Sequence, residues 1–188
     1  MSSPRIAKAL RIQGRTLNFR DARIEDAEFI LSLRNDPAKS RHISATSSEL
    51  SQQVAWLERY AQNDSEAYFV MTDAADNALG TVRLYDARGR SFCWGSWILA
   101  PHAPASAAIE SALMVYAYAL DTLGFSSAHF TVNVDNERVC AFHERFGAER
   151  IEQDVHEISY GLSEASIRAS MQRYARYLPG PLVVELKN

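Results

Sequence analysis

The sequence predicts an α/β or α+β fold, one sheet with helices on both faces. Alternating apolar stretches and stretches of helical spacing follow one another in the order β, α, α, β, β, β, α, β, α, β, α. Hairpins come first and a β-loop-α-β-α unit follows, an order that builds a layered sheet. The length, 188 residues, suits one sizeable core and is short for two, so residues 1–188 are read as a single domain.

The first dozen residues lack a clear period, and residues 1–14 read as a loose leader. Thr16 to Asp21 (TLNFRD) alternates and reads as the first strand. Ile24 to Asn35 shows helical spacing at Ile24, Ala27, Ile30 and Leu31, and Pro37 ends it, having no amide hydrogen to continue the ladder. Residues 38–47 read as a polar loop, and Ser48 as the N-cap of a helix carrying Val54, Leu57 and Ala61 on its apolar stripe. Ala67 to Thr72 and Leu79 to Tyr85 form a hairpin around the turn 73–77. Ser91 to Leu99 (SFCWGSWIL) is a further strand, followed by the loop 101–108 and a long apolar helix, Ile109 to Leu123, with Gly124 at its end. Ala128 to Val134 reads as a strand, Asn136 to Phe146 as a short helix, and residues 149–160 as returning strands. Ser163 caps a last helix through about Tyr177, and the tail PGPLVVELKN supplies an edge strand or packs loosely.

Net charge is −3, with no basic excess of the kind a nucleic-acid surface needs. Cys93 and Cys140 are 47 residues apart without CxxC spacing, so two reduced thiols are expected and no zinc site or disulfide framework. The N-terminus has no apolar signal core and no run approaches the ~20 apolar residues of a membrane span, so the expected setting is cytoplasmic, without a membrane partner. No metal-ligand cluster or Ser-His-Asp order is visible.

Val134-Asp135-Asn136 followed by Ala141-Phe142-His143-Glu144-Arg145-Phe146-Gly147-Ala148 resembles the closing motif of the GNAT superfamily of acetyl-CoA-dependent N-acyltransferases. The resemblance covers about residues 16–160. Leu33-Arg34-Asn35-Asp36 and Ala55-Trp56-Leu57 are similar to the N-terminal helices of a subgroup that includes acyltransferases for nucleotide-linked amino sugars. The resemblance implies a mixed, mostly antiparallel sheet of about six or seven strands. It also implies acetyl-CoA as co-substrate, no metal, and transfer of an acetyl or other acyl group to a primary amine of a small acceptor.

Residue by residue, the resemblance implies a thioester held by the backbone of Ile98, Leu99 and Ala100, and a pyrophosphate held by Ala105, Ser106, Ala107 and Ala108. The start of a helix offers free amides and a positive dipole end to such an anion. The family's glycine-rich loop is altered here: His102, Ser106 and Ala108 stand at its glycine positions, and residues 101–108 hold no glycine, lysine or arginine. Glu110, in the first helical turn, suits the dipole but would repel a nearby pyrophosphate. Asn136 fits a coenzyme contact and equally a plain N-cap; Phe142 and Phe146 suit the core, with Phe142 also on the coenzyme side. His143 stands where the family carries a tyrosine proposed to protonate the departing thiolate, which makes it the candidate acid. Arg34, Asn35, Arg83 and His42 are candidates for the acceptor cleft. Trp94 and Trp97 lie three apart on one strand, so they should face opposite sides, one in the core and Trp97 walling the cleft.

An N-acetyltransferase acting on a nucleotide-linked amino sugar is the first expectation. A peptide or protein N-terminus is another acceptor reading. The glycine-free loop motivates an alternative, a degenerate GNAT domain that binds without catalysis, and the helix 163–177 a third, an assembly protein; a homodimer is compatible with each.

Overall fold

The computed structural model describes residues 3–42 and 47–187. Among the described residues nine strands form one sheet in the order β7-β8-β6-β5-β4-β3-β2-β1-β9. They are β1 (Ala9–Gln13), β2 (Asn18–Asp21), β3 (Ala67–Thr72), β4 (Ala78–Arg88), β5 (Ser91–Leu99), β6 (Ser127–Asn133), β7 (Glu149–Gln153), β8 (Glu157–Ser163) and β9 (Val183–Leu186). Every neighbouring pair is antiparallel except β5 with β6.

Part of the excess over six or seven strands comes from the two ends of the chain. The leader reading of residues 1–14 is corrected: Ala9–Gln13 is β1, paired on one side with β2 and on the other with β9. A register shift between Ala9 and Arg11 breaks its alternation, so the buried Ala9 and Ile12 lie three apart and no period of two is legible.

Alternation within β3 divides the core. Tyr68 and Val70 meet α1 (Ala27–Arg34) and α3 (Leu50–Ala61) on one face. Ala67, Phe69 and Met71 face the larger core with α4 (Ala107–Ala117), α5 (Glu137–Arg145) and α6 (Glu164–Arg173). Between α1 and α3, Asp36 accepts a hydrogen bond from the Ala38 amide at 2.9 Å and Pro37 occupies the first position of a short helix, α2 (Pro37–Ser40). The chain therefore re-enters a helical turn where a polar loop was expected, because Pro suits a helix start as well as it ends one. The cap of α3 is Glu49, not Ser48. Helix α4 gives way at Tyr118–Thr122 to a π-helical turn, and Gly124 follows at φ +83°. Asn136 and Ser163 cap α5 and α6 through their side chains, and α6 ends at Arg173, before a 3-10 turn over Ala175–Tyr177.

Two features of β5 create the space a site needs. First, β5 pairs with β6 only over Ser91–Cys93, and beyond that the two strands part. Second, β5 bulges against β4: Thr81 pairs with Ile98 but Arg83 with Gly95, so Ser96 and Trp97 together oppose Val82. Ser96 sits at φ +46°, and its carbonyl accepts a 2.8 Å hydrogen bond from the Thr81 hydroxyl. A non-glycine residue at positive φ costs about 1–2 kcal/mol. Ser96→Gly is therefore expected to raise stability by about 1 kcal/mol in a thermal melt; a loss would show that the serine side chain supports the bulge.

Candidate active site

The bulge reverses a sequence expectation. With one extra residue between them, Trp94 and Trp97 no longer point to opposite faces; their rings meet at 5.2 Å. Trp97 donates its indole N–H to the Ser111 hydroxyl of α4 at 3.0 Å and lies 4.9 Å from the Phe142 ring. It walls the groove opened by the parting of β5 and β6, not the acceptor cleft as expected.

That groove encloses about 620 Å³. Ile98, Leu99 and Ala100 form one wall, Ala105 and Ala108 the start of α4, and Asn136 and Phe142 the facing side of α5. Ser106 and Ala107 do not line it; Ala107 is packed into the core. The Ala100 amide is already donated to the Leu79 carbonyl at 2.7 Å. Along a strand successive amides point to opposite edges, so the Leu99 amide faces the groove and Ala100's does not.

The groove suits the phosphates of a coenzyme A despite its lack of glycine. No residue of 101–108 takes a positive φ, so the loop needs none. Among the described residues the amides of Ala105, Ser106, Ala108 and Ile109 have no backbone acceptor. Lys39 of α2 and Arg138 and Arg145 of α5 line the same groove and supply the charge that the loop lacks. Glu110 does not oppose them. Its carboxylate is turned inward, 1% exposed, and accepts from the Thr16 and Leu17 amides and the Thr16 hydroxyl.

A second cavity of about 720 Å³ lies on the other side of β5, under α1 and α3. Arg34, Arg59, Arg83, Trp56, Tyr68, Tyr85 and Ser96 are among its lining residues. Arg83 is held by an ion pair with Glu66 and lies over the rings of Tyr85 at 4.6 Å and Trp56 at 5.3 Å. Burial pushes the Tyr68 and Tyr85 phenols well up, so both stay neutral. Asn35, expected here, is exposed and lines neither cavity.

His143 is turned away from both cavities. Helical spacing puts Arg138, Phe142 and Arg145 on the groove side of α5, and Cys140 and His143 on the sheet side. The imidazole is 5% exposed, with Phe130 at 4.2 Å, Trp94 at 5.3 Å and Phe142 at 5.7 Å between ring centroids. Its Nδ1 has no hydrogen-bond partner among the described residues. Burial lowers its pKa to about 3, so the ring is neutral at physiological pH. It is a core residue, not the groove-facing acid the sequence reading expects.

Lys39, His42, Arg138 and Arg145 are groove residues that the sequence reading did not assign to the coenzyme. Arg138 and Arg145 could have been found by spacing, since they lie four before and three after Phe142 on one helix face. No ligand-like group of His, Cys, Asp and Glu stands together among the described residues. No helix among them is long and apolar enough to cross a membrane.

The Acetyltransferase (GNAT) domain profile matches residues 16–149. The apo structure of FdhC, a nucleotide-linked sugar GNAT, is 37% identical at a TM-score of 0.80, covering 89% of this chain and 98% of its own. A GCN5-related N-acetyltransferase from Brucella melitensis is 16% identical at a TM-score of 0.77, covering 93% of this chain and 88% of its own. A chimera of the Vibrio cholerae spermidine N-acetyltransferase SpeG with hSSAT is 18% identical at a TM-score of 0.70, covering 82% and 99%. The last two share the fold alone. Among curated proteins none matches the sequence. The profile over most of the chain and the similarity to FdhC agree with the split sheet and its groove: the chain belongs to the GNAT family and is a GNAT-type N-acetyltransferase.

Proposed function

We propose that the enzyme transfers an acetyl group from acetyl-CoA to the primary amine of a nucleotide-linked amino sugar. The observation that carries this is the charge of the acceptor cavity. Arg34, Arg59 and Arg83 line it and, among the described residues, no carboxylate does. Such a wall attracts a diphosphate and repels a polycation such as spermidine. Glu66 already engages Arg83, so Arg59 is the better phosphate partner. Trp56 offers a ring to a nucleobase, and about 720 Å³ is room enough for a nucleotide sugar. FdhC, similar over most of its length, is a nucleotide-linked sugar GNAT.

Acetyl-CoA supplies the activated acyl group. The amides at the start of α4, with Lys39, Arg138 and Arg145, hold its phosphates. The Leu99 amide donates to the thioester carbonyl and stabilises charge developing on that oxygen. At the bulge of β5 Ser96 lines the acceptor cavity and its neighbour Trp97 lines the groove, so the strand there separates the two sites by one residue. Bringing amine and thioester together there supplies much of the rate.

The test is turnover with UDP- and dTDP-linked amino sugars, spermidine and glucosamine. The nucleotide sugars should be preferred. Arg59→Ala should raise their KM about 10- to 100-fold, the loss of one charge-assisted hydrogen bond, and leave glucosamine unaffected. Preference for spermidine would overturn the reading.

A further inference from the structure

We infer that His42 is the catalytic base, the group that takes the proton from the acceptor amine. With His143 sealed in the core, the reaction lacks a side chain to move a proton near neutral pH. Among the described residues lining the two cavities, the titratable groups are Arg34, Arg59 and Arg83, Tyr68, Tyr85, Tyr174, Lys39, Arg138, Arg145 and His42. Arginine and lysine hold their protons, and the buried phenols of Tyr68 and Tyr85 are raised further from ionisation. Imidazole alone exchanges a proton in this range.

The position of His42 supports the role. It lines the groove together with Trp97, Ile98 and Leu99, the part of β5 just past the bulge. The arm that carries it begins at the end of α1, where Leu33 packs on Ile98 and Ala100, and Arg34 enters the acceptor cavity. Residues 33–42 thus join the two cavities at the strand between them. The Nδ1 of His42 is buried and has no hydrogen-bond partner among the described residues. An unpartnered buried ring nitrogen costs stability, a cost that packing alone does not explain.

The step balances with the imidazole as the only proton carrier. The amine nitrogen attacks the thioester carbon, the C–N bond forms and the C–S bond breaks. The proton leaves nitrogen for His42, and the sulfur departs with the bonding pair as thiolate. The imidazolium then returns that proton to the sulfur, so amine and acetyl-CoA become amide and coenzyme A with His42 neutral again. The other titratable groups lining the groove are Lys39 on the same arm, Arg138 and Arg145 on α5, and Tyr174.

This inference rests on the acetyltransferase reading, and its test separates the two. Parent enzyme, His42→Gln and His42→Ala are compared with the nucleotide sugars and with glucosamine at high concentration, so that failure of the nucleotide sugars alone overturns only the acceptor reading. His42→Gln should lower kcat about 100-fold or more with either acceptor. It should leave acetyl-CoA binding, read by tryptophan fluorescence, unchanged. Added imidazole should partly restore His42→Ala. Independently of activity, coenzyme A should shield His42 from diethyl pyrocarbonate, read by mass spectrometry of its peptide. A His42→Gln enzyme with the parent's kcat, or no shielding, would overturn the assignment.

Discussion

Glu110→Ala is expected to lower stability by roughly 4 kcal/mol and to weaken acetyl-CoA binding. The Glu110 carboxylate accepts from the Thr16 amide at 2.6 Å, the Leu17 amide at 3.0 Å and the Thr16 hydroxyl. Leu17 is itself buried, so water cannot replace the lost acceptor. Each buried donor left unsatisfied costs about 1–3 kcal/mol; the Leu17 amide bears that cost in full, and the amide and hydroxyl of the exposed Thr16 bear it in part. In a chain of this length that loss lowers the Tm by roughly 10 °C. The effect reaches the site because Glu110 lies in the first turn of α4, beside Ala105, Ala108 and Ile109, which line the groove and whose amides have no backbone acceptor among the described residues. Tying that turn to the chain between β1 and β2 fixes where the amides point. Glu110→Gln separates hydrogen bonding from charge. Its carbonyl can accept both amides and its NH2 can donate to the Thr16 hydroxyl, so it should lose about 1 kcal/mol. Tm and the acetyl-CoA dissociation constant are measured on both variants. If Glu110→Gln fell as far as Glu110→Ala, charge and not the shared acceptor would explain the residue.

The sequence carried the parts of this molecule in which local pattern and tertiary role agree. The β3–β4 hairpin was legible because its strands alternate or are uniformly apolar around the polar turn 73–77. Helix α5 was legible because Asn136 both caps it and begins the GNAT-like motif. The bulge was not legible. Its positive φ falls on Ser96, while the adjacent Gly95 serves another purpose: a Cβ there would come within 3.1 Å of the Tyr85 hydroxyl. A reader of the sequence would place a backbone irregularity at the glycine, and strict alternation then sends Trp97 to the wrong face. The groove's cations were hidden for a different reason. Lys39, Arg138 and Arg145 are distant in sequence from the loop 101–108 and look like solvated helix faces until the sheet brings them together. Glu110 shows the same limit in reverse, since no local pattern reveals partners more than ninety residues away.

His143→Phe and His143→Leu are expected to keep kcat and to make the enzyme markedly more resistant to acid. In the native protein burial lowers the imidazole pKa to about 3, whereas in the unfolded chain it titrates near 6.5. The unfolded state therefore binds the extra proton first as pH falls, and each unit below about 6.5 removes about 1.4 kcal/mol from native stability. The loss accumulates until the folded pKa is reached, so at pH 4 it is roughly 3 kcal/mol; above about pH 7 the residue contributes no pH dependence. An apolar replacement has no proton to bind in either state. Parent and variants should then melt at similar temperatures at pH 7.5 and diverge steadily below pH 6.5. Phenylalanine is larger than histidine and Phe130 lies only 4.2 Å away between centroids, so some strain is expected there. Leucine is the check on that, being closer in volume and without a ring. Neither substitution places a new group in the groove, because His143 lines neither cavity. A large fall in kcat in both variants, with acetyl-CoA binding intact, would return His143 to the chemistry and count against His42 as the sole proton carrier. Retained turnover with a flattened acid limb of stability would mean that the histidine of the closing motif is a packing residue, and that proton transfer is left to the arm between the two cavities.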